Sequence, residues 1–242
     1  MRIDKLLSNS GLGSRSQVRQ LIRAGHISLN GQVILDPATI IPPSDYAHIL
    51  VRQQALSVKL SAHLLLNKPQ GYLTATDDRR YPYVTQLLPQ ALQRLNPVPA
   101  GRLDRDAHGL LLLTTDGQLA HRLMSPRWHY PKTYLVTYEG EALTNQEVQL
   151  LAGGLQLQDL NCLPAVLEPL ANRQARVTLT EGKYHQVKRM FAFIGRPVSD
   201  LCRITIGPFS LAGIEKPGSY RLLTREEQSR LYQDLSLQPA EL

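Results

Sequence analysis

Apolar positions in the first fifty residues fall first at helical and then at strand spacing, with glycines marking the changes. Ile3, Leu6 and Leu7 share one helical face, and Gly11-Leu12-Gly13 breaks that helix. Ser14-Arg15-Ser16-Gln17 has the form of a capping box, with Ser at the N-cap and Gln three residues on. It opens a second helix with Val18, Leu21 and Ile22 as its apolar stripe, closed by Gly25. Ile27-Ser28-Leu29, the turn pair Asn30-Gly31 and Gln32-Val33-Ile34-Leu35 predict a tight hairpin. Asp36-Pro37 ends it, residues 46–51 supply a third strand, and residues 53–61 read as a polar connector.

A longer pattern follows. Residues 63–67 form an apolar strand, and Lys68-Pro69-Gln70-Gly71 is a turn. After the loop Pro97-Val98-Pro99 comes the continuous apolar run 109–113, ended by Asp116-Gly117 and followed by a short helix to Met124. Residues 132–139 alternate as a strand, with Thr133, Leu135 and Thr137 on one face and Tyr134, Val136 and Tyr138 on the other. Thr144-Asn145-Gln146-Glu147 is a second capping box, opening a helix that stops at Gly153-Gly154. Further strands are expected at 163–168, 175–180 and 198–206, with a helix at about 184–194. Strands and helices mixed without a regular βαβ rhythm predict an α+β fold with a mixed, largely antiparallel sheet. The expected domains are 1–57, a small helix-hairpin unit with its connector, and 58–242.

Composition sharpens the picture. A hydrophobic fraction of 43% against 19% charged residues belongs to a chain with a well-buried core. The 27 Lys and Arg outnumber the 20 Asp and Glu, giving a formal charge of +7 and pointing to an anionic partner. Residues 1–57 hold six basic and three acidic side chains. Arg15, Arg19 and Arg23 recur every four residues on the second helix and are expected to stand without acidic partners. Like charges at that spacing repel by a few tenths of a kcal/mol per pair, which a phosphate backbone would offset. Cys162 and Cys202 are too few for a disulfide framework and fit a reducing compartment. The start lacks the apolar stretch of a signal peptide, and no apolar run approaches the ~18 residues of a membrane span, so a cytoplasmic location is expected. The seven histidines show no ligand spacing, so no metal is expected.

Asp104 is the oddest residue of the second part, a carboxylate between Arg102-Leu103 and an apolar strand. Desolvation there raises its pKa unless a cation stands nearby. A free Asp titrates near ~3.9, so moderate burial beside a basic partner leaves it ionised near neutral pH but poorly hydrated, as a nucleophile must be. A turn Asp capping the next segment is the bland alternative.

Three segments settle on one resemblance. Gly101-Arg102-Leu103-Asp104-Arg105-Asp106-Ala107-His108-Gly109-Leu110-Leu111-Leu112-Leu113-Thr114-Thr115-Asp116-Gly117 is similar to the signature of the ribosomal-RNA pseudouridine synthases. Leu66-Asn67-Lys68-Pro69-Gln70-Gly71-Tyr72 upstream agrees in order and spacing, as does Glu181-Gly182-Lys183-Tyr184-His185-Gln186-Val187-Lys188-Arg189-Met190-Phe191 downstream. The helix, basic helix and Asn-Gly hairpin of residues 1–52 resemble the RNA-binding domain first named from ribosomal protein S4. The segment Tyr184 to Phe191 looks like the branch that modifies uridine 516 of the small-subunit 16S rRNA. One departure is visible: Ala107, followed by His108, stands where the family usually has Thr or Ser.

The resemblance implies an isomerase that converts uridine to pseudouridine without cofactor or metal. Asp104 is its implied nucleophile, attacking either the anomeric carbon of the sugar or carbon 6 of the ring. Tyr134 is implied to stack on the target base, and Lys188 to pair with Asp104. Arg102 matches the arginine that related enzymes insert where the base has left its stack. Arg15, Arg19, Arg23, His185 and Arg189 complete the implied RNA contacts. The expected partner is 16S rRNA or a small-subunit assembly intermediate, met by a monomer that uses no membrane and no small-molecule cofactor. A non-catalytic RNA-binding assembly factor and a synthase for a large-subunit uridine are the alternatives. An aminoacyl-tRNA synthetase with a similar appendage is disfavoured by the absence of its nucleotide motif.

Overall fold

In a computed structural model of the chain, residues 1–56 and 61–238 are described, and they divide into two compact units. One unit comprises Met1–Ala62 with Leu88–Pro97, the other His63–Leu87 with Val98–Gln238. The boundary expected at 57/58 lies outside the described residues, as does the 57–60 portion of the expected connector.

The first unit is built from α1 (Ile3–Asn9), α2 (Arg15–Arg23), β1 (Ile27–Leu29), β2 (Gln32–Val33), β3 (Ile49–Val51), β4 (Gln54–Ala55) and the short α3 (Gln90–Gln93). Its sheet runs β2-β1-β3-β4, every pair antiparallel. Asn30 and Gly31 both take positive φ, 49° and 80°, as a two-residue turn matched to strand twist requires. The capping box at Ser14 and Gln17 forms in both directions. Ile3, Leu6, Leu7, Val18, Ile22, Ile27 and Ile49 close over a common core, which the helical and strand periods place on facing sides. Two expectations are corrected. Pro43–His48 is a 3-10 helix, because prolines at 42 and 43 favour a helical start, so the third strand is only Ile49–Val51. Gln54–Ala55, expected in the connector, pairs with β3.

The second unit contains β5 (His63–Lys68), β6 (Val98–Pro99), β7 (His108–Thr114), α4 (Gly117–Met124), β8 (Lys132–Tyr138), α5 (Asn145–Ala152), β9 (Leu155–Leu157), β10 (Leu160–Cys162), β11 (Val166–Pro169), β12 (Gln174–Leu179), α6 (Gln186–Phe193), β13 (Val198–Ile206), β14 (Phe209–Ser210), β15 (Tyr220–Leu222) and α7 (Arg225–Asp234). Its main sheet has the order β11-β12-β8-β13-β7-β5-β15, with β14 on β13 and β6 on β7. All pairs are antiparallel except β13 with β7. The architecture is therefore mixed α+β.

Central position explains the apolar run: β7 is buried from Gly109 to Thr114, between β5 and β13. Leu110 and Leu112 pack with Leu119 and Leu123 of α4 and Leu231 and Tyr232 of α7. Tyr134, Val136 and Tyr138 of β8 form a second core with Leu151 of α5 and Val187, Met190 and Phe191 of α6. The strand expected at 163–168 begins only at Val166, since Pro164 cannot donate to a ladder. The helix expected from about 184 begins at Gln186, because His185 sits at its N-cap with φ 50°. No helix of the described residues is long and apolar enough to cross a membrane.

Candidate active site

Asp104 lies in the loop between β6 and β7, and the surrounding chain grips that loop by its backbone. Lys68, at the end of β5, is wholly buried, and its Nζ donates to the carbonyls of Pro69 (3.2 Å), Asp104 (3.0 Å), Arg105 (3.3 Å) and Ala107 (2.6 Å). Burial lowers the Lys68 pKa to about 8, while the Asp106 and Asp104 carboxylates pull the other way. Thr74 closes on Leu103 twice, its Oγ1 accepting from the amide (3.1 Å) and donating to the carbonyl (2.7 Å). Gly71 N–H donates to the Arg105 carbonyl at 2.7 Å. Arg203 of β13 donates through Nε to the Leu110 carbonyl (2.7 Å) and through Nη1 to that of Arg102 (3.4 Å). Gly109 is required beside it: at φ 100° an added Cβ would meet the Arg203 carbonyl oxygen at 2.3 Å and its nitrogen at 2.8 Å.

The Asp104 carboxylate, about one quarter exposed at 26%, faces two basic groups. His185 Nε2 stands 3.3 Å from Oδ1, and Lys188 Nζ stands 3.6 Å from Oδ2. Lys188 gives its hydrogen bonds to Asp106, 2.7 Å to each oxygen. That contact holds the Asp106 carboxyl below the usual carboxylate range against the opposing effect of burial. The pairing expected between Lys188 and Asp104 is thus an ion pair without a hydrogen bond. His185, expected on the RNA, faces the carboxylate while its ring stacks on Tyr184 with centroids 3.9 Å apart.

Tyr134, buried on β8, lines a narrow cleft with Asp104, Ala107, Leu179, Val187 and Leu201. A wider cleft of about 640 Å³ opens beside it, bordered by Thr74, Arg102, Asp104, Arg105, Tyr184 and His185. Arg102 is exposed on its rim. Ala107 is fully buried against Leu103 and Tyr134, and the hydroxyl that holds this loop comes instead from Thr74. A carboxylate flanked by two basic groups, a narrow cleft with an aromatic wall and an exposed arginine on the wider cleft together offer a nucleophile beside a surface on which a planar ring can stack. Among the described residues no cluster of three or more His, Cys, Asp or Glu could hold a metal.

Asp104, Tyr134, Lys188, His185 and Arg102 come together, while Arg189 pairs with Asp159 in the turn between β9 and β10. Arg19, expected without an acidic partner, has one: its Nε lies 2.9 Å from Asp4 Oδ2, and Arg2 shares that carboxylate. Asp4 is buried, which alone would raise its pKa, but the two guanidinium groups bring it below the ordinary value. Arg15 and Arg23 remain exposed on α2, with no ion-pair partner among the described residues. Sequence reading gave no role to Lys68, Thr74, Asp106 or Arg203. A cation at the end of an apolar strand was the available signal for Lys68 and for Arg203 within β13.

Comparisons with known proteins identify the family. Residues 62–193 match the family model of RNA pseudouridylate synthase, and residues 1–45 match that of the S4 domain. The chain is 40% identical to the ribosomal small subunit pseudouridine synthase A of Escherichia coli (strain K12), over 94% of this chain and 98% of that one. It is 41% identical to an uncharacterized RNA pseudouridine synthase of Bacillus subtilis (strain 168), over 94% and 96%. A crystal structure of a pseudouridylate synthase superposes with a TM-score of 0.66 at 36% identity, covering 96% of this chain and 99% of that one. The chain belongs to the RNA pseudouridylate synthase family of isomerases and carries an S4 domain at its front.

Proposed function

We propose that this protein converts one uridine of ribosomal RNA to pseudouridine, and that the uridine is number 516 of 16S rRNA, presented free or in a small-subunit assembly intermediate. The observation that carries the reading is the Asp104 carboxylate held between His185 and Lys188 at the mouth of the cleft lined by Tyr134. Similarity to a named small-subunit synthase over nearly the whole of both chains supports the ribosomal substrate. A protein with that substrate works in the cytoplasm. We assign RNA recognition to residues 1–57 and catalysis to residues 58–242.

In the reaction, Asp104 bonds to the anomeric carbon as uracil leaves, or to carbon 6 before the N-glycosidic bond breaks. The uracil turns and carbon 5 bonds to the sugar; the bond to Asp104 breaks and returns its carboxylate, the proton on carbon 5 leaves and nitrogen 1 gains one. His185 and Lys188 flank the Asp104 carboxylate and orient it for attack. Tyr134 supplies the stacking surface, worth ~1 to 3 kcal/mol, and Arg102 fills the place the base has left. Mapping pseudouridine in 16S rRNA from cells with and without the gene tests the target: loss at position 516 is expected, and loss elsewhere would move the site.

A further inference from the structure

Beside Asp104, sharing Arg102, Tyr134, Lys183 and His185 with the narrow cleft, lies a third recess of about 260 Å³, and its wall is unusually basic. Arg102, Lys132, Lys183, His185 and Arg203 line it, and Asp104 is its one carboxylate. Two of these cations are buried, Arg203 at 1% exposure and Lys132 at 7%. Among the described residues, Lys132 Nζ donates only to the Tyr130 carbonyl, at 3.0 Å. Arg203 donates to two carbonyls through Nε and Nη1, and its buried Nη2 has no hydrogen-bond partner. Neither cation has an ion-pair partner among the described residues, whereas Asp104 is already met by His185 and Lys188. Burying a cation without a counter-charge is costly, and burying two side by side is more so. Burial, and after it the neighbouring Arg203 charge, lowers the Lys132 pKa to about 8. Such an arrangement is stable in use when an anion completes it.

We propose that this recess, floored by Lys132 and Arg203, binds a backbone phosphate of the RNA next to the extruded uridine. The inference rests on the function proposed above and adds to it the subsite that fixes the target's sugar-phosphate. A phosphate seated there anchors the sugar while the base turns, so that Asp104 and Tyr134 act on a nucleotide held at one end. Lys132 carries the direct contact, and Arg203 supplies charge while fixing the Arg102 and Leu110 carbonyls.

The test couples one protein group to one RNA group. RNA oligonucleotides containing the target uridine are made with each flanking linkage replaced singly by an uncharged methylphosphonate, and are titrated with the parent, Lys132→Met and Lys132→Arg. The parent should lose about 10-fold in affinity at one linkage. Lys132→Met should lose a similar factor on the natural RNA and nothing further at that linkage, and Lys132→Arg should restore most of it. Independent, multiplying losses at every linkage would overturn the proposal, as would a parent indifferent to all of them. If Lys132→Met does not fold, Lys132→Gln is put through the same scan and judged by the same criterion. Pseudouridine formation by the parent on the natural RNA is measured separately, so that its absence strikes the proposed function while the binding data still judge the subsite.

Discussion

Lys188 gives its hydrogen bonds to Asp106 and reaches Asp104 at 3.6 Å, so its influence on the candidate nucleophile acts through charge. Lys188→Met should therefore lower kcat by about 100-fold while RNA affinity changes less than about 3-fold. Equal losses in both would make Lys188 an RNA contact. Asp4 offers a separate check in the first unit. Its folded pKa lies below the unfolded 3.8, so its stabilisation is present above that value and lost as pH falls through the lower folded one. Replacing it in Asp4→Asn should lower Tm at pH 7 and shrink the fall in Tm below about pH 4. An unchanged acid profile would show that the Arg2 and Arg19 contacts contribute nothing. Asp104 and Lys188 could be named from sequence because they stand in long motifs, whereas Tyr134 was legible as a strand position and took its role from the resemblance alone. The Arg19 partner could not, since Asp4 lies 15 residues away on another helix and no local period joins them.

The loop carrying Asp104 is held by Lys68 at the end of β5, Thr74 in the loop that follows β5, and Arg203 of β13. Gly109 is where β7 and β13 press together, in the parallel register Arg203↔Gly109. Gly109→Ala must displace backbone, not a flexible side chain, and should cost at least about 2 kcal/mol, lowering Tm by ~5 °C or more. A variant as stable as the parent would contradict the close approach. Strong local signals made β7, β8 and α5 legible: an unbroken apolar run, strict alternation and a capping box. The parallel β7–β13 pairing was not, because strand period fixes a face and not a neighbour. Thr224 and Glu227 form a capping box as Thr144 and Glu147 do, yet the pattern of apolar positions does not predict α7. Its first six residues are all polar, and only Leu231 and Tyr232 near its end are buried.

For the whole molecule, the basic charge must find phosphate, and the structure limits which arginines are free to do so. With Arg19 engaged by Asp4, Arg15 and Arg23 are the exposed cations of α2. The double variant Arg15→Ala, Arg23→Ala should reduce the log-log salt slope of RNA binding by about 1.4 to 1.8, at ~0.7 per phosphate for single strands and ~0.9 for duplex. An unchanged slope would leave α2 merely solvated. The central claim is that Asp104 is the attacking group of an enzyme that rebuilds uridine within RNA. Asparagine keeps its shape and can accept a hydrogen bond, but it cannot serve as an anionic nucleophile. The direct measurement is conversion of uridine to pseudouridine in 16S rRNA or its assembly intermediate by the parent and by Asp104→Asn, beside an RNA titration of both. The account predicts RNA binding at least equal to the parent's and turnover at background. Turnover above about a hundredth of the parent rate, a loss under ~3 kcal/mol, would contradict it and return Asp104 to a structural turn.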